Sequence, residues 1–225
     1  MKRTPLSQRQ LPDYTKGEEV FNTVSHIVGG ALGIAALLLC IFASALKGDA
    51  WGAVGGAIYG SSITALFTVS SVYHALKKGT AKKVMQVIDH CTIYFLIAGT
   101  YTPILLSSIR AVSPYAAWSL FAIVWGLAAL GTVFTAIDLK KYAVLSMACY
   151  IGIGWSVVIA LDAAIKALTL TGFLFILFGG IIYTVGAVLY GLGKKRRYMH
   201  SAFHVFVVVA AIIQFIGVYF YVILK

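Results

Sequence analysis

Charge is scarce in this chain. Only 11% of its 225 residues are Asp, Glu, Lys or Arg, against about 25% in an ordinary soluble domain. That scarcity excludes a globular fold with a solvated surface. Acidic residues are fewest, 7 against 18 basic ones, for a net charge of +11. Such an excess often marks a nucleic-acid binder. Here the basic residues form short clusters between apolar runs, with no basic domain apart from them, so nucleic acid is not an expected partner. Cysteine is also rare. Cys40, Cys91 and Cys149 lie in three separate apolar runs, odd in number and without CxxC spacing. They read as small buried residues, which excludes a disulfide framework. The N-terminal "MKRTPLSQRQLPDYTKGEE" lacks an apolar core, so no cleavable signal peptide is expected.

Apolar residues are abundant: 60% of the chain, with a mean hydropathy of +0.92. A membrane-crossing helix needs about 20 mostly apolar residues. Seven runs qualify, at about 21–46, 51–76, 85–109, 113–136, 143–162, 170–191 and 198–224. They are too long and too continuously apolar for barrel strands, which leaves helices. The expected fold is an all-α membrane protein, a seven-transmembrane helix bundle (residues 20–225) behind a short cytoplasmic segment (residues 1–19). Gly52, Gly56 and Gly60 recur at four-residue intervals in the second run, the spacing that lets helices approach closely.

Orientation follows from the basic residues. Lys2, Arg3, Arg9 and Lys16 precede the first run. Lys77, Lys78, Lys82 and Lys83 lie in the second connection, Lys140 and Lys141 in the fourth, and Lys194, Lys195, Arg196 and Arg197 in the sixth. The opposite side holds only Lys47, Arg110, Lys166 and Lys225. The positive-inside rule then makes the N-terminus cytoplasmic and the C-terminus external.

Ionisable groups in a bilayer are expensive, so their positions are informative. All five histidines fall toward the same face: His26, His74, His90, His200 and His204. His200 and His204, four apart, share one face of a helix, a spacing that lets two imidazoles hold one metal ion. It also occurs in purely structural pairs. His74, ending a neighbouring span, is the leading third ligand, and three nitrogens plus a water make an open catalytic zinc site. Asp89 is the acidic residue set well inside a span on that side. A carboxylate there needs a partner: either Lys82, Lys83 or His90, or a metal-bound water that it would serve as base. Ser70 precedes His74 by one turn and either faces the same site or bonds back to its own helix. Glu19, Asn22 and His26 fall on one face of the first helix as a supporting shell or an interfacial network, with His26 placed deeper than the site.

These residues, taken in order, resemble the three signature motifs of the hemolysin III / progestin and adipoQ receptor family: Glu19-x2-Asn22-x3-His26, Ser70-x3-His74, Asp89, and His200-x3-His204. "DHCTIYFLIAGTYTP" from Asp89 and "GGIIYTVGAVLY" from Gly179 are similar to its bacterial branch. The resemblance covers nearly the whole chain. It implies seven helices with a cytoplasmic N-terminus in a bacterial plasma membrane, zinc on His74, His200 and His204, and Asp89 against the zinc-bound water; His90, beside Asp89, is grouped with Glu19, Asn22 and His26 as a supporting residue. The receptor branch is linked to hydrolysis of ceramide-type lipid amides, which implies a membrane lipid as substrate; the bacterial branch is associated with haemolysis.

The expected function is therefore that of a zinc-dependent hydrolase acting on lipid amide or ester bonds, with Asp89 and Ser70 beside the reacting atoms. Two other classes stand beside it: a receptor or sensor with structural zinc, and a pore-forming cytolysin. The cytolysin is the less supported of the two, because the ionisable groups stop in one third of the bundle.

Overall fold

A computed structural model describes residues 4–193 and 196–225. Lys2, Arg3, Lys194 and Lys195 of the orientation argument lie outside the described residues. Among the described residues the fold is wholly helical. We number the helices α1 (Lys16–Leu46), α2 (Ala50–Ala75), α3 (Thr80–Pro103), α4 (Pro114–Ile137), α5 (Ala143–Gly154), α6 (Leu161–Gly193) and α7 (Met199–Val218). A wide turn, Ile104–Ile109, extends α3 past Pro103, and a second, Tyr219–Ile223, extends α7.

Helix starts reflect local chemistry. Thr15 and Glu18 form a capping box on α1, satisfying backbone N–H groups that have no partner within the helix. The Asp49 carboxylate accepts from Gly52 N at 2.9 Å to open α2. Ser113 caps α4 with Pro114 in its first turn, where proline's missing N–H costs nothing. α7 begins otherwise. Its N-cap Tyr198 sits at φ 62°, ψ −1°, which costs a non-glycine residue about 1–2 kcal/mol. The Tyr198 N–H donates to Glu18 Oε1 at 2.7 Å, a charge-assisted bond that offsets the strain. Glu18, 4% exposed, thus ties the start of α7 to the start of α1.

Among the described residues six helical tracts are long and apolar enough to cross a membrane, and one of the six, Ala143–Gly191, runs for 49 residues. At 1.5 Å per residue it would measure about 74 Å, over twice a hydrocarbon core of about 30 Å. It is not continuous. Thr169 takes φ 65°, ψ 163° inside α6, and its hydroxyl accepts from Gly172 N at 3.4 Å, capping the second part of the tract. The break falls between the fifth and sixth apolar runs of the sequence.

α3 is the central helix, 72% buried over its apolar window against 28–50% for the others. Close contact is set by small residues. A Cβ on Gly60 would collide with the Leu37 backbone of α1, and one on Gly33 would lie 2.6 Å from Thr64 N of α2. Gly179 of α6 accommodates the Gln214 side chain of α7 in the same way. Large apolar side chains such as Leu38, Phe42 and Ile159 face outward, as in a bundle whose solvent is lipid. All three cysteines are free; Cys40 is buried, while Cys91 and Cys149 are only half-buried.

The two sets of basic residues lie at opposite ends. Residues 4–15 cross one end as a strap. The Thr4 N–H donates to Asp138 at 3.0 Å, Arg9 Nη2 to the Ile137 carbonyl at 2.9 Å, and Lys83 Nζ to the Ser7 carbonyl at 2.8 Å. At the other end Lys47 Nζ donates to the Ile223 carbonyl, Lys225 Nζ to the Ala167 carbonyl, and Arg110 stacks on Trp51.

Candidate metal centre

His74 stands in the last turn of α2, and the turn is terminated by a lysine. Lys82 Nζ donates to the His74 carbonyl at 3.2 Å and to the Leu76 carbonyl at 2.9 Å. A cation on the carbonyl end of a helix is favoured by its dipole. Lys82 is itself 2% exposed, so its charge requires a partner. It has Glu19, whose Oε1 lies 2.7 Å from Nζ.

Glu19 also fixes the histidine. Its Oε2 accepts from His74 Nδ1 at 2.7 Å. With the proton on Nδ1, the lone pair sits on Nε2, the arrangement of a metal-ligating histidine backed by a carboxylate. His74 Nε2 is buried and has no hydrogen-bond partner. Asn22 Nδ2 is a looser neighbour of His74 Nδ1 at 3.5 Å.

α7 supplies the other two nitrogens. His200 and His204 are one turn apart and nearly buried, with Nε2 atoms 3.1 Å apart. Donor atoms of His74, His200 and His204 all lie within 4.8 Å of one another. Two nitrogens on a tetrahedral zinc, each bonded at 2.0–2.1 Å, are separated by about 3.4 Å. The donor type, the unpartnered Nε2 and the spacing therefore all fit a divalent ion.

The remaining sequence candidates lie around this trio. His26 stacks on His204 with ring centroids 3.8 Å apart, at the level of the trio and not beyond it. α1 and α7 run side by side with Glu18 level with Tyr198, and that register carries His26 to His204. Asp89 and Ser70 interact with each other and line the same cavity as His200 and His204. His90 Nδ1 is 3.9 Å from the Asp89 carboxylate but donates to the Gln86 carbonyl at 2.8 Å, and its Nε2 lies 3.1 Å from Tyr190 Oη. Lys82 pairs with Glu19, so of the two residues weighed beside it as partners of Asp89, His90 is the one at its side.

The trio stands between two spaces. On one side is a cavity of about 150 Å³ that runs along α7 from His200 to Gln214 and is walled by Leu66, Ile93, Ile97 and Val207. The fourteen residue steps from His200 to Gln214 span about 21 Å. On the other side is a recess lined by Tyr14, Glu19, His74 and Lys82. Tyr14 stacks on His200 at 4.8 Å and 14°.

Sequence reasoning missed Tyr14, Glu18, Tyr190 and the role of Lys82. Only Glu18 left a signal, the Thr15-x-x-Glu18 capping box.

A buried cluster of three imidazoles, held by a carboxylate and opening on an apolar cavity within a bundle of membrane-length helices, defines an integral membrane protein with a candidate metal centre. The chain belongs to the haemolysin-III related family, whose model matches residues 14–215. It is 37% identical to "Hemolysin-3" of Bacillus cereus over 91% of this chain and 92% of that one. It is 36% identical to the "Hemolysin-3 homolog" of Bacillus subtilis (strain 168) over 92% and 96%. A human relative, "Monocyte to macrophage differentiation factor", is 29% identical over 97% and 90%.

Proposed function

We propose that this protein is a zinc-dependent hydrolase of lipid amide or ester bonds in the bacterial plasma membrane. The observation that carries the reading is the convergence of three histidine nitrogens within 4.8 Å, two of the three residues lining an apolar cavity. A zinc ion held by His74, His200 and His204 would supply Lewis acidity toward a carbonyl oxygen and lower the pKa of water toward about 7.

The chain's own groups account for the rest. Glu19 keeps the His74 proton on Nδ1 and its lone pair inward. Asp89, beside Ser70, accepts the proton of the attacking water on a carboxylate oxygen and passes it to the leaving nitrogen or oxygen as its bond to the acyl carbon breaks, and the Ser70 hydroxyl orients the water. His26 stacks on His204 and limits its ring rotation. The cavity walls take the acyl chain and keep bulk water from it. An apolar cavity of this length suits a lipid better than a soluble substrate.

We also propose seven membrane crossings with a cytoplasmic N-terminus. Two observations support this. The break at Thr169 divides the 49-residue tract, and Asp138 and Ala167 are tied to opposite ends of the bundle. Residues 143–168 would then form the fifth crossing and the chain from Leu170 the sixth. The basic clusters at the strap end mark the cytoplasmic side.

The test is metal content and lipid-amide hydrolysis by the purified protein. One zinc per chain and turnover that stops on chelation and returns with zinc support the reading. Turnover that persists without metal rejects the mechanism. Stoichiometric zinc whose removal lowers the melting temperature, with no hydrolysis of any lipid amide or ester, would instead make the ion a strut between α2 and α7.

A further inference from the structure

The trio's aqueous side is closed by a residue outside every helix. Tyr14 lies parallel to His200, with centroids 4.8 Å apart and an interplanar angle of 14°. It also faces His74 at 5.7 Å, so one ring covers two of the three proposed ligands. The recess it occupies is the side from which His74 is approached without passing through the apolar cavity.

This placement is built. Upstream, the strap is fastened to the end of α4 through Thr4 and Arg9, and to α3 through Lys83. Immediately before the tyrosine, Asp13 pairs with Lys78 of the α2–α3 connection at 2.6 Å. Immediately after it, the Thr15 N–H and hydroxyl both donate to Glu18 Oε2 at 2.8 Å. The other oxygen of the same carboxylate holds the start of α7, the helix of His200. Tyr14 is therefore fixed from both sides, and its downstream anchor is shared with its stacking partner. Any motion that carries Tyr14 away must break contacts at several helix ends. Stacking on an imidazole face uses the ring plane and leaves both imidazole nitrogens free.

We propose that Tyr14 is a positioning and sealing residue of the histidine trio: its ring holds His200 in place and separates the three nitrogens from solutes on the strap side. The inference rests on the reading of the trio as a metal centre, but its test does not depend on that reading alone. The seal opens when the Tyr14 ring leaves His200, so access to the trio is a local opening event.

Two measurements on the full-length, detergent-purified chain decide it. The first is the rate of zinc release to excess EDTA. Tyr14→Ala is expected to release zinc about tenfold faster or more at unchanged stoichiometry, whereas Tyr14→Phe, which keeps the ring, stays within about twofold of the unmodified chain. Asp138→Asn, far from the trio, loosens the strap and gives a smaller acceleration. Equal rates for Tyr14→Ala and the unmodified chain would overturn the proposal, as would Tyr14→Phe behaving like Tyr14→Ala. The second needs no metal. A thiol placed by His74→Cys is labelled with a soluble maleimide, after subtraction of labelling at the native cysteines. Adding Tyr14→Ala should raise the labelling rate about tenfold; no change overturns the seal. A chain that binds no zinc defeats the metal reading, while the thiol arm still decides the role of Tyr14. If Tyr14→Ala does not fold, Tyr14→Leu and Asp138→Asn are carried through both measurements: faster access in both supports the seal, and access at the unmodified rate in both rejects it.

Discussion

At the strap end of the bundle, Glu18, Asn22, His26, His74, Lys82, His200 and His204 are all buried. They are held by hydrogen bonds and stacked rings between residues that lie far apart in sequence. Along the rest of the bundle, contact is made by shape: Gly33 against Thr64, Gly60 against Leu37, Gly179 against Gln214. The two regions tolerate different changes. Where small residues set the approach, an added Cβ must move a backbone, but hydrophobic exchanges on neighbouring positions cost little. Where charges are buried, each group depends on a named partner, and removing one leaves the other unsatisfied. The fold and the site are thus separable, and substitutions at one end should leave the other nearly unaffected.

The largest expected effect is at the trio. Replacing both His200 and His204 with alanine removes two of three donors and should take bound metal from one per chain to none, read by elemental analysis. Because small residues set helix approach along the rest of the bundle, the double variant should still purify as a monodisperse helical protein. Stoichiometric metal in it would show that the site lies elsewhere.

Gly60→Val probes the other region. A side chain driven against the Leu37 backbone should destabilise by about 3 kcal/mol or more, at or beyond the upper end of overpacking costs, and lower the melting temperature. Metal affinity per folded molecule should not change. A fall in affinity comparable to the fall in stability would break the separation drawn between the two regions.

Glu19→Gln is a subtler change at the polar end. The amide keeps the shape but loses the charge that satisfies both His74 Nδ1–H and Lys82. Removing such a supporting carboxylate typically costs 10–100-fold in metal affinity, about 1.4–2.8 kcal/mol. Competition with a chelator of known affinity measures it. An unchanged affinity would mean that the carboxylate serves Lys82 and the end of α2 alone.

Much of this architecture is legible in the sequence, for physical reasons. Membrane-length apolar runs are forced by bilayer thickness, so the first four runs and the last lie on helices to within about five residues, whereas the fifth and sixth fall on the broken tract Ala143–Gly191, whose helix boundaries they do not match. His200 and His204 are readable because helical periodicity sets their common face, and His74 because it ends a span at the same membrane depth. The pairing of Lys82 is not readable. It stands seven residues before Asp89, about 10 Å along α3, and reaches instead across the α2 terminus to Glu19. The depth of His26 also differs from the sequence expectation, because its level depends on how α1 and α7 are aligned, and that alignment is set by the Glu18–Tyr198 bond between distant segments. Tyr14 leaves no trace because an irregular strap has no periodicity to reveal which way a ring turns.

The smallest expected effect concerns the strap and its dependence on pH. Asp138, at the end of α4, accepts from Thr4 and from Lys141 N and lies near Arg9. Hydrogen bonding from Thr4 leads in holding its carboxyl at about 2, below its ordinary value of 3.8. Because the folded value is the lower one, the carboxylate contributes its stability fully above the ordinary value and loses it as pH falls from about 4 through about 2. Asp13, held low by Lys78, acts in the same direction, so the unmodified chain alone does not isolate either group. The difference between the unmodified chain and Asp138→Asn does. Thermal melts should show the variant less stable by a constant margin at pH 5 and above, with the margin shrinking as pH falls below about 4 and vanishing only below about 2. A margin that stays the same from pH 6 to pH 2 would mean that the charge of Asp138 does not fasten the strap, and the tether nearest the N-terminus would then be the Lys83 contact with the Ser7 carbonyl.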